Sequence, residues 1–421
     1  MSSVLPGNKA GLQRSGLPQG RALPAGSGRA ATALRDLLAA LVVVLSSGGC
    51  GPVEESQRQQ AAIAGGGLRL SSVLGAVDAQ GYARARPGTP LRFPADHGAH
   101  PDFRSEWWYL TLMLEDDAGN DYGGQFTLFR QALAPPAAAD ASSSGAAAAV
   151  AGPMTAAIAG PMTAAWATRQ VYMAHLAVTD VTSAQHLSAE RFSRGHPELA
   201  GVRNGPFAAF IDNWRLTGGD PAAAFLPLEL EAQADQFGWS LELQPDQPRV
   251  LQGDAGYSAK GPGQASHYYS YPRLAVSGQL RLGARQIAVH GSGWFDREWS
   301  TSVLGTEQVG WDWFALQFDD GREAMAFRLR RADCRRDPFD HGLLVEADGT
   351  YRALPAERFL LTPTQWWQPP EPAAVEAEAV LCPDAEPGFP VGWRLTIDGE
   401  RFDARAAIED QRMATSVPYW E

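Results

Sequence analysis

The chain has 421 residues, a formal net charge of −12 and a charged fraction of 19%. Because a single hydrophobic core stops growing beyond roughly 250–300 residues, we expect two domains. Lysine occurs only at Lys9 and Lys260, and the sequence contains no basic patch, which argues against a nucleic-acid partner. The 13 tryptophans, 44 glycines and 30 prolines favour many short strands connected by turns.

Residues 1–50 have the pattern of an export signal. The apolar run at residues 37–45 follows several arginines; it is too short to span a bilayer but suits the hydrophobic region of a signal peptide. The small residues Ser47-Gly-Gly-Cys50 then predict a bacterial lipoprotein that is lipidated at Cys50, with ordinary secretion as the alternative. Both alternatives predict export. The lipoprotein alternative also predicts attachment to a membrane through Cys50, on the periplasmic side of an outer membrane.

Two stretches of the chain have the composition of connecting segments. Residues 51–84 are rich in Gly, Gln and Ala and predict a flexible tether. Residues 134–165 are of low complexity, and the sequence AGPMTAA occurs twice within them. They predict a disordered insertion in a long loop.

The remaining sequence contains strand patterns that recur in the same order. A strand that begins with Trp, an acidic turn and a return strand occupy residues 107–130, and the same arrangement recurs at residues 311–330. The motif Trp-Arg-Leu follows each of these hairpins. The sequence therefore predicts an all-β fold of two related barrel domains, residues 85–270 and residues 271–421.

Two polar-aromatic clusters are the candidates for a functional site. The segment from Gly291 to Ser300 places Asp296 between two tryptophans, and the charged residues Arg297 and Glu298 follow it directly. The second cluster, Ser266-His-Tyr-Tyr-Ser-Tyr271, lies upstream. Acids and a histidine among aromatic rings are unusual in strands, whose inward faces are normally aliphatic. The alternative is that Asp296 pairs with a nearby arginine and that the tryptophans belong to the core.

Other candidate sites have weaker patterns. The spacing of the histidines in Asp96-His-Gly-Ala-His100 fits no strong zinc motif, so we expect no metal there. Ser292 lacks the Gly-X-Ser-X-Gly motif of a serine hydrolase. An oxidising envelope would allow Cys334 and Cys382 to pair if they are adjacent in the fold.

Several motifs in order resemble one known family, the carotenoid 1,2-hydratase/AttH-like family of exported lipocalin-type proteins. The resemblance spans roughly residues 85–421. The motifs that carry it are FPADHG at 93–98, RSEWWY at 104–109, HYYS at 267–270 with PRL at 272–274, GWFDREWS at 293–300, GWDWF at 310–314 and YWE at 419–421. The resemblance implies two tandem lipocalin-like (calycin) β-barrels, the second ending short of the family's last strand. It also implies no metal or organic cofactor and, from the characterised hydratases, addition of water to a carbon–carbon double bond of a polyene.

The same resemblance implies roles for individual residues. Asp296 and His267 would carry out the chemistry. Aromatic residues that would line the substrate site are Trp294, Tyr269, Trp299 and Tyr268. Residues that would support them are Arg104, Glu106, Arg297 and Glu298, although Arg297 and Glu298 also suit structural ion pairs. Tyr269 stands where the hydratases tend to carry Trp, and Trp294 where they tend to carry Tyr.

The chemistry of alkene hydration explains why these residue types are suitable. Hydration needs an acid that protonates one carbon, an environment that stabilises the resulting cation, and a water that traps it. A carboxylic acid in an apolar pocket stays protonated near neutral pH because burial disfavours its charged form. Desolvated indole and phenol rings stabilise a cation by about 2 kcal/mol. We therefore expect an acid-catalysed hydratase or isomerase that acts on a hydrophobic terpenoid or lipid; the alternative is a lipocalin-like carrier of such a ligand.

Overall fold

The computed structural model describes residues 80–136, 168–218, 225–302, 304–370, 388–416 and 419–421. These residues belong to one compact unit, Ile63–Glu421. The predicted signal peptide, Cys50, nearly all of the tether, most of the insertion at residues 134–165 and Cys382 lie outside the described residues. Cys334 is disulfide-bonded.

Strands make up most of the described residues, which confirms the predicted all-β fold. In the first part of the chain the strands are β1 (Ser105–Asp116), β2 (Asp121–Ala132), β3 (Gln170–Asp180), β4 (Gln185–Arg194), β5 (Ala200–Asn204), β6 (Phe207–Ile211), β7 (Trp214–Gly218), β8 (Leu228–Gln233), β9 (Phe237–Pro245), β10 (Val250–Leu251), β11 (Tyr257–Gly261), β12 (Gln264–Leu282) and β13 (Arg285–Ser300). In the second part they are β14 (Gln308–Gln317), β15 (Glu323–Arg331), β16 (His341–Val345), β17 (Tyr351–Pro355), β18 (Phe359–Trp367), β19 (Phe389–Ile397), β20 (Glu400–Arg405), β21 (Arg412–Met413) and β22 (Tyr419–Trp420). Short 3-10 helices are present at Ala95–His97 and Ala356–Arg358.

The first part of the chain forms one antiparallel sheet that curls into a nearly closed barrel. Its strand order is β4-β3-β2-β1-β13-β12-β9-β8-β7-β6-β5, and β10 and β11 pair with the edge of β12. The indole of Trp239 on β9 donates to the carbonyl of Ala177 on β3 at 3.1 Å, so side chains connect the two halves of the sheet across the interior. Near the edge strand β4, the guanidinium of Arg191 lies 4.3 Å over the ring of Trp214 on β7.

Alternation of apolar and polar residues explains most of these strands. Along β1, Leu110, Leu112 and Leu114 are buried in the barrel, whereas Met113 between them is 54% exposed. At Gly291 on β13, φ is +154° and a Cβ atom would lie 2.2 Å from the carbonyl oxygen of Met113, so only glycine fits there. Beyond this point β13 is buried on both faces. A strand that is covered on both sides requires a second layer.

The second part of the chain supplies that layer. Strands β14 to β17 form a four-stranded sheet, β18 to β20 form a three-stranded sheet, and the two sheets share a separate apolar core. Phe314 on β14, for example, packs edge-on against Trp393 on β19 at 5.1 Å. Side chains of β14 and β15 also pack against Tyr268 and Trp294 of the first sheet. The fold is therefore the two-part, lipocalin-like arrangement that the resemblance implies.

Strand β12 crosses the predicted domain boundary. The boundary lies between residues 270 and 271, in the middle of this strand, and residues on both sides of it pair with β13. The first sheet therefore continues to Ser300. Within the described residues, no helix is long and apolar enough to cross a membrane.

Candidate active site

The predicted site residues lie on β12 and β13, but on two different faces of the sheet. Ser270 lies directly opposite Asp296, and Tyr268 directly opposite Glu298, so these side chains share one face. We call it the outer face; it also carries Trp294 and is covered by β14 and β15. The other face, which we call the inner face, points into the barrel. It carries His267, Tyr269, Arg297 and Trp299.

A bulge in β12 determines which residues share a face. Across the β12–β13 turn, Leu282 pairs with Arg285, and uninterrupted pairing would place Tyr271 opposite Asp296. The register instead shifts between Tyr271 and Leu274, so that Ser270 takes this place. A shift of one residue reverses the face of every side chain beyond it. Ser270 and Tyr268 therefore lie on the same face as Asp296, and Tyr269 lies on the opposite face.

Asp296 is buried among neutral hydrogen-bond donors. Its side chain is 3% exposed. The hydroxyl of Ser270 donates to Oδ1 at 2.5 Å, and the indole Nε1 of Trp294 donates to the same oxygen at 2.8 Å. Burial raises the pKa of Asp296 to about 7; hydrogen bonds from Ser270, Trp294 and Tyr268 oppose this rise only in part. Within the described residues no cationic side chain forms an ion pair with it, so the arginine-paired alternative does not fit the geometry.

Aromatic rings surround the acid on the outer face. Trp313 of β14 donates from Nε1 to the hydroxyl of Tyr268 at 3.3 Å, and its ring lies 6.3 Å from that of Trp294. Tyr109 of β1 pairs directly with Asp296 and packs edge-on against Trp313 at 5.6 Å. Trp313 and Tyr109 are half-buried, whereas Trp294 and Tyr268 are buried. The acid is therefore buried among aromatic rings, two of which are themselves partly exposed.

Two other carboxyl groups lie on the outer face. Glu298 forms a buried ion pair with Lys260, so this ammonium neutralises Glu298 and not Asp296. Glu421 accepts a hydrogen bond from the hydroxyl of Tyr109, and burial raises the pKa of Glu421 to about 8. The motif that contains Glu421 is thus placed beside the site.

The inner face contains a different kind of polar cluster. Glu106 is fully buried and forms ion pairs with Arg130 and Arg297. The guanidinium of Arg297 lies 3.9 Å over the ring of Trp108 and 4.9 Å over that of Trp299. Burial alone would raise the pKa of Glu106, but the two guanidinium groups outweigh it and lower the pKa below the usual range. This cluster has the properties of a structural ion pair.

His267 lies on the inner face and Asp296 on the outer face, so the structure does not bring the two predicted catalytic residues together. Its ring is 5.5 Å from Trp299 and 5.9 Å from Phe103, and burial lowers its pKa. Tyr269 is on the same side, where its hydroxyl lies 2.7 Å from Nδ1 of His97. The sheet backbone separates these side chains from that of Asp296.

The structure also shows the positions of the other predicted residues. Arg104 precedes β1 and is half-buried; its backbone amide donates to the hydroxyl of Thr301 at 3.4 Å. Nε2 of His100 lies within hydrogen-bond distance of Oδ1 of Asp96, at 3.2 Å. In the described part of the chain, no group of three or more His, Cys, Asp or Glu side chains is arranged to hold a metal ion.

Sequence reasoning missed several residues of the outer face. Ser270 lies in the Ser266–Tyr271 cluster and Trp313 in the GWDWF motif, but neither pattern assigns a role to these two residues. Gln252, which donates from Nε2 to the hydroxyl of Ser270 at 2.8 Å, had no signal at all. A proline at position 272 within a strand was the available signal, because proline in a sheet commonly marks a bulge.

Comparison with known proteins identifies the family. The AttH-like family matches over residues 84–421. The chain belongs to the AttH-like family. The crystal structure of a putative AttH from Nitrosomonas europaea is similar to this AttH-like chain, with a TM-score of 0.62 and 29% identity over 79% of this chain and 89% of that one.

A second solved structure has the same fold at lower identity. It is kievitone hydratase from Nectria haematococca, with a TM-score of 0.51 and 12% identity over 81% of this chain and 88% of that one. No curated protein matches the AttH-like chain. The comparisons therefore establish the family and the fold of this chain.

Proposed function

We propose that this AttH-like protein is an acid-catalysed hydratase, which adds water to a carbon–carbon double bond of a hydrophobic terpenoid or lipid. One observation carries the proposal. Asp296 is a buried carboxyl group that is held by neutral donors and has no cationic partner among the described residues, and its pKa is raised to about 7. Such a group is protonated in a large fraction of molecules near neutral pH and is able to donate its proton.

The surroundings of Asp296 suit the other requirements of the reaction. Protonation of an alkene leaves a carbocation, which the π faces of Trp294, Trp313 and Tyr109 would stabilise. The Asp296 carboxylate left by proton transfer would be a counter-ion to this cation, and its Oδ1 keeps two hydrogen-bond donors. Positive charge on the substrate and negative charge on the enzyme thus develop together in a site from which bulk water is largely excluded.

The family context supports the same class of reaction. A protein of the same fold is named for a hydratase activity, namely kievitone hydratase. Deprotonation of the same cation at a neighbouring carbon would give a shifted double bond, so isomerisation belongs to the same proposal. Export and attachment to a membrane at Cys50 are further parts of the proposal, and they rest on the sequence pattern alone.

A conversion assay with a labelled solvent tests the proposal. The purified protein is incubated in H₂¹⁸O with farnesol, geranylgeraniol, oleic acid and lycopene in turn, and products are analysed by mass spectrometry. We expect at least one alkene to gain labelled water, and Asp296→Asn to reduce the rate by about 10²–10⁴-fold, the usual contribution of a general acid. Asp117→Asn changes an exposed aspartate in the turn between β1 and β2 and is the matched control.

The outcomes separate an enzyme from a carrier. Binding of these alkenes with no conversion by the wild type would favour the lipocalin-like carrier. Conversion that persists in a folded Asp296→Asn variant would remove Asp296 from the chemistry and overturn the proposed mechanism.

A further inference from the structure

Gln252 is a fully buried polar residue that lies close to the proposed acid. It follows β10, and its side chain is 0% exposed. Its backbone is fixed on both sides: its amide donates to the carbonyl of Tyr268 at 3.0 Å, and its carbonyl accepts from the amide of Gly256 at 3.0 Å. The side chain therefore has a fixed origin on the edge of β12, next to Ser270.

The hydrogen bonds of Ser270 determine the orientation of the Gln252 amide. A serine hydroxyl has one proton, and Ser270 uses it to donate to Oδ1 of Asp296 at 2.5 Å. Toward Gln252, Ser270 must therefore accept a hydrogen bond, which requires Nε2 of Gln252 to face it, at 2.8 Å. The amide oxygen then points away from Ser270.

The amide oxygen of Gln252 gives separate evidence for a bound water. Among the described residues, Oε1 of Gln252 is buried and has no hydrogen-bond partner. Buried polar atoms without a protein partner are commonly satisfied by an ordered water, since leaving them unpaired costs free energy. Two successive hydrogen bonds join this amide to the Asp296 carboxyl group, so a water on Oε1 would lie in the neighbourhood of the acid.

We propose that Gln252 holds, through Oε1, the water that adds to the substrate cation, and that Gln252 and Ser270 together assign the two oxygens of Asp296 to different tasks. Oδ1 already accepts hydrogen bonds from Ser270 and Trp294, so we assign the transferable proton to Oδ2. The hydroxyl of Tyr268 also hydrogen-bonds to this carboxyl group. In this assignment Gln252 touches a reactant, whereas Ser270 is a positioning residue. The inference deepens the proposed hydratase function and rests on it.

The steps of the reaction then balance. The O–H bond at Oδ2 of Asp296 breaks as a C–H bond forms at one alkene carbon, which leaves a cation at the other carbon and a carboxylate on Asp296. The oxygen of the water held by Gln252 forms a C–O bond with the cation. The proton that this water releases returns to the carboxylate, so one water is consumed and no oxidant or reductant is required. Without the held water, the cation instead returns a proton from a neighbouring carbon to the Asp296 carboxylate and gives an isomer.

The product ratio tests this assignment. Gln252→Met has nearly the same length and shape but neither donates nor accepts a strong hydrogen bond. With the alkene from the H₂¹⁸O panel that the wild type converts fastest, we expect the ratio of hydrated to isomerised product to fall about tenfold or more, the effect of losing one hydrogen bond to the water. Gln244→Met, on the exposed side of β9, is the matched control and is expected to keep the wild-type ratio. A folded Gln252→Met variant with an unchanged ratio would overturn the proposal, because a purely structural role would lower both products together.

A crystal structure gives a second test that does not depend on turnover or on a variant. We expect an ordered water within hydrogen-bond distance of Oε1 of Gln252 in the wild-type protein. A well-ordered Gln252 whose Oε1 contacts protein atoms alone would contradict the proposal. If the wild type converts none of the alkenes, the hydratase function and the reaction step fail, whereas the crystal structure still decides whether Gln252 holds a water.

Discussion

Asp296 and Glu106 lie on opposite faces of the same sheet, and both are buried, yet their pKa values move in opposite directions. Burial raises the pKa of Asp296 to about 7, whereas the guanidinium groups of Arg130 and Arg297 outweigh burial and lower the pKa of Glu106. The difference shows that depth alone does not decide the charge of a carboxyl group. The charge of its partners does: neutral donors leave Asp296 able to hold a proton, and two cations keep Glu106 ionised.

The largest expected effect is the loss of the inner-face ion pairs. Glu106→Gln leaves Arg130 and Arg297 buried without their counter-charge. We expect the free energy of unfolding to fall by about 3–5 kcal/mol, because a buried charge that has lost its partner is strongly destabilising. Urea unfolding of both proteins measures the change.

The matched control for this variant is an exposed ion pair. Glu400 pairs with Arg322 at 2.7 Å on the surface. Glu400→Gln should leave the unfolding midpoint almost unchanged, because water and salt screen such a pair. Equal effects of the two variants would show that the Glu106 cluster does not stabilise the barrel more than a surface pair does.

On the outer face, we expect the titration of Asp296 to change the free energy of unfolding by a smaller amount, which depends on pH. The pKa of Asp296 is raised from 3.8 to about 7 in the folded protein, so the folded state binds this proton more tightly than the unfolded state. The stabilisation from this group is complete below the unfolded pKa and is lost as pH rises through the folded one. The expected loss is on the order of 3 kcal/mol between pH 4 and pH 7. Asp296→Asn, which is neutral throughout, should lack this component.

Urea unfolding of the wild type and of Asp296→Asn at several pH values measures this pH-dependent stabilisation. The difference between the two unfolding free energies should shift in favour of the variant as the pH rises. A difference that does not change with pH would mean that Asp296 has an ordinary pKa, and the contrast with Glu106 would disappear.

The smallest expected effect concerns His267. His267→Phe keeps a planar ring on the inner face, across the sheet from Asp296. We expect alkene conversion to change by about twofold at most, since residues without shared contacts act almost independently. The pH dependence of the carboxyl C=O band of Asp296 in infrared difference spectra should also stay unchanged. A loss of about tenfold or more would instead support the catalytic pair that the sequence predicts.

Much of the outer face could be predicted from the sequence because it depends on local order. The alternation along β13 places Asp296, Trp294 and Glu298 on one face, as the structure shows. The density of Trp and Tyr around one carboxyl group likewise predicts a buried acid. These features need only the spacing of residues within a single strand.

The partner strand could not be predicted in the same way. The side chains that face Asp296 depend on the register of β12, and this register changes by one residue at the bulge near Pro272. Without the bulge, the register would place His267 on the same face as Asp296. With the bulge, Ser270 lies on that face and His267 on the other. Gln252 and Trp313 reach the acid from other segments of the chain, and such contacts depend on tertiary packing that no local pattern records.

Strands β14 and β15, which cover the outer face, help to determine the pKa of Asp296. Asp296 is contributed by one part of the chain, but the indole of Trp313 and its neighbours, which help to keep water from it, come from the other. A first sheet without this cover would leave the carboxyl group hydrated, and its acidity would return toward that of a free aspartate. The proton affinity of this group is thus a property of the completed molecule, and it would report whether the two parts have docked.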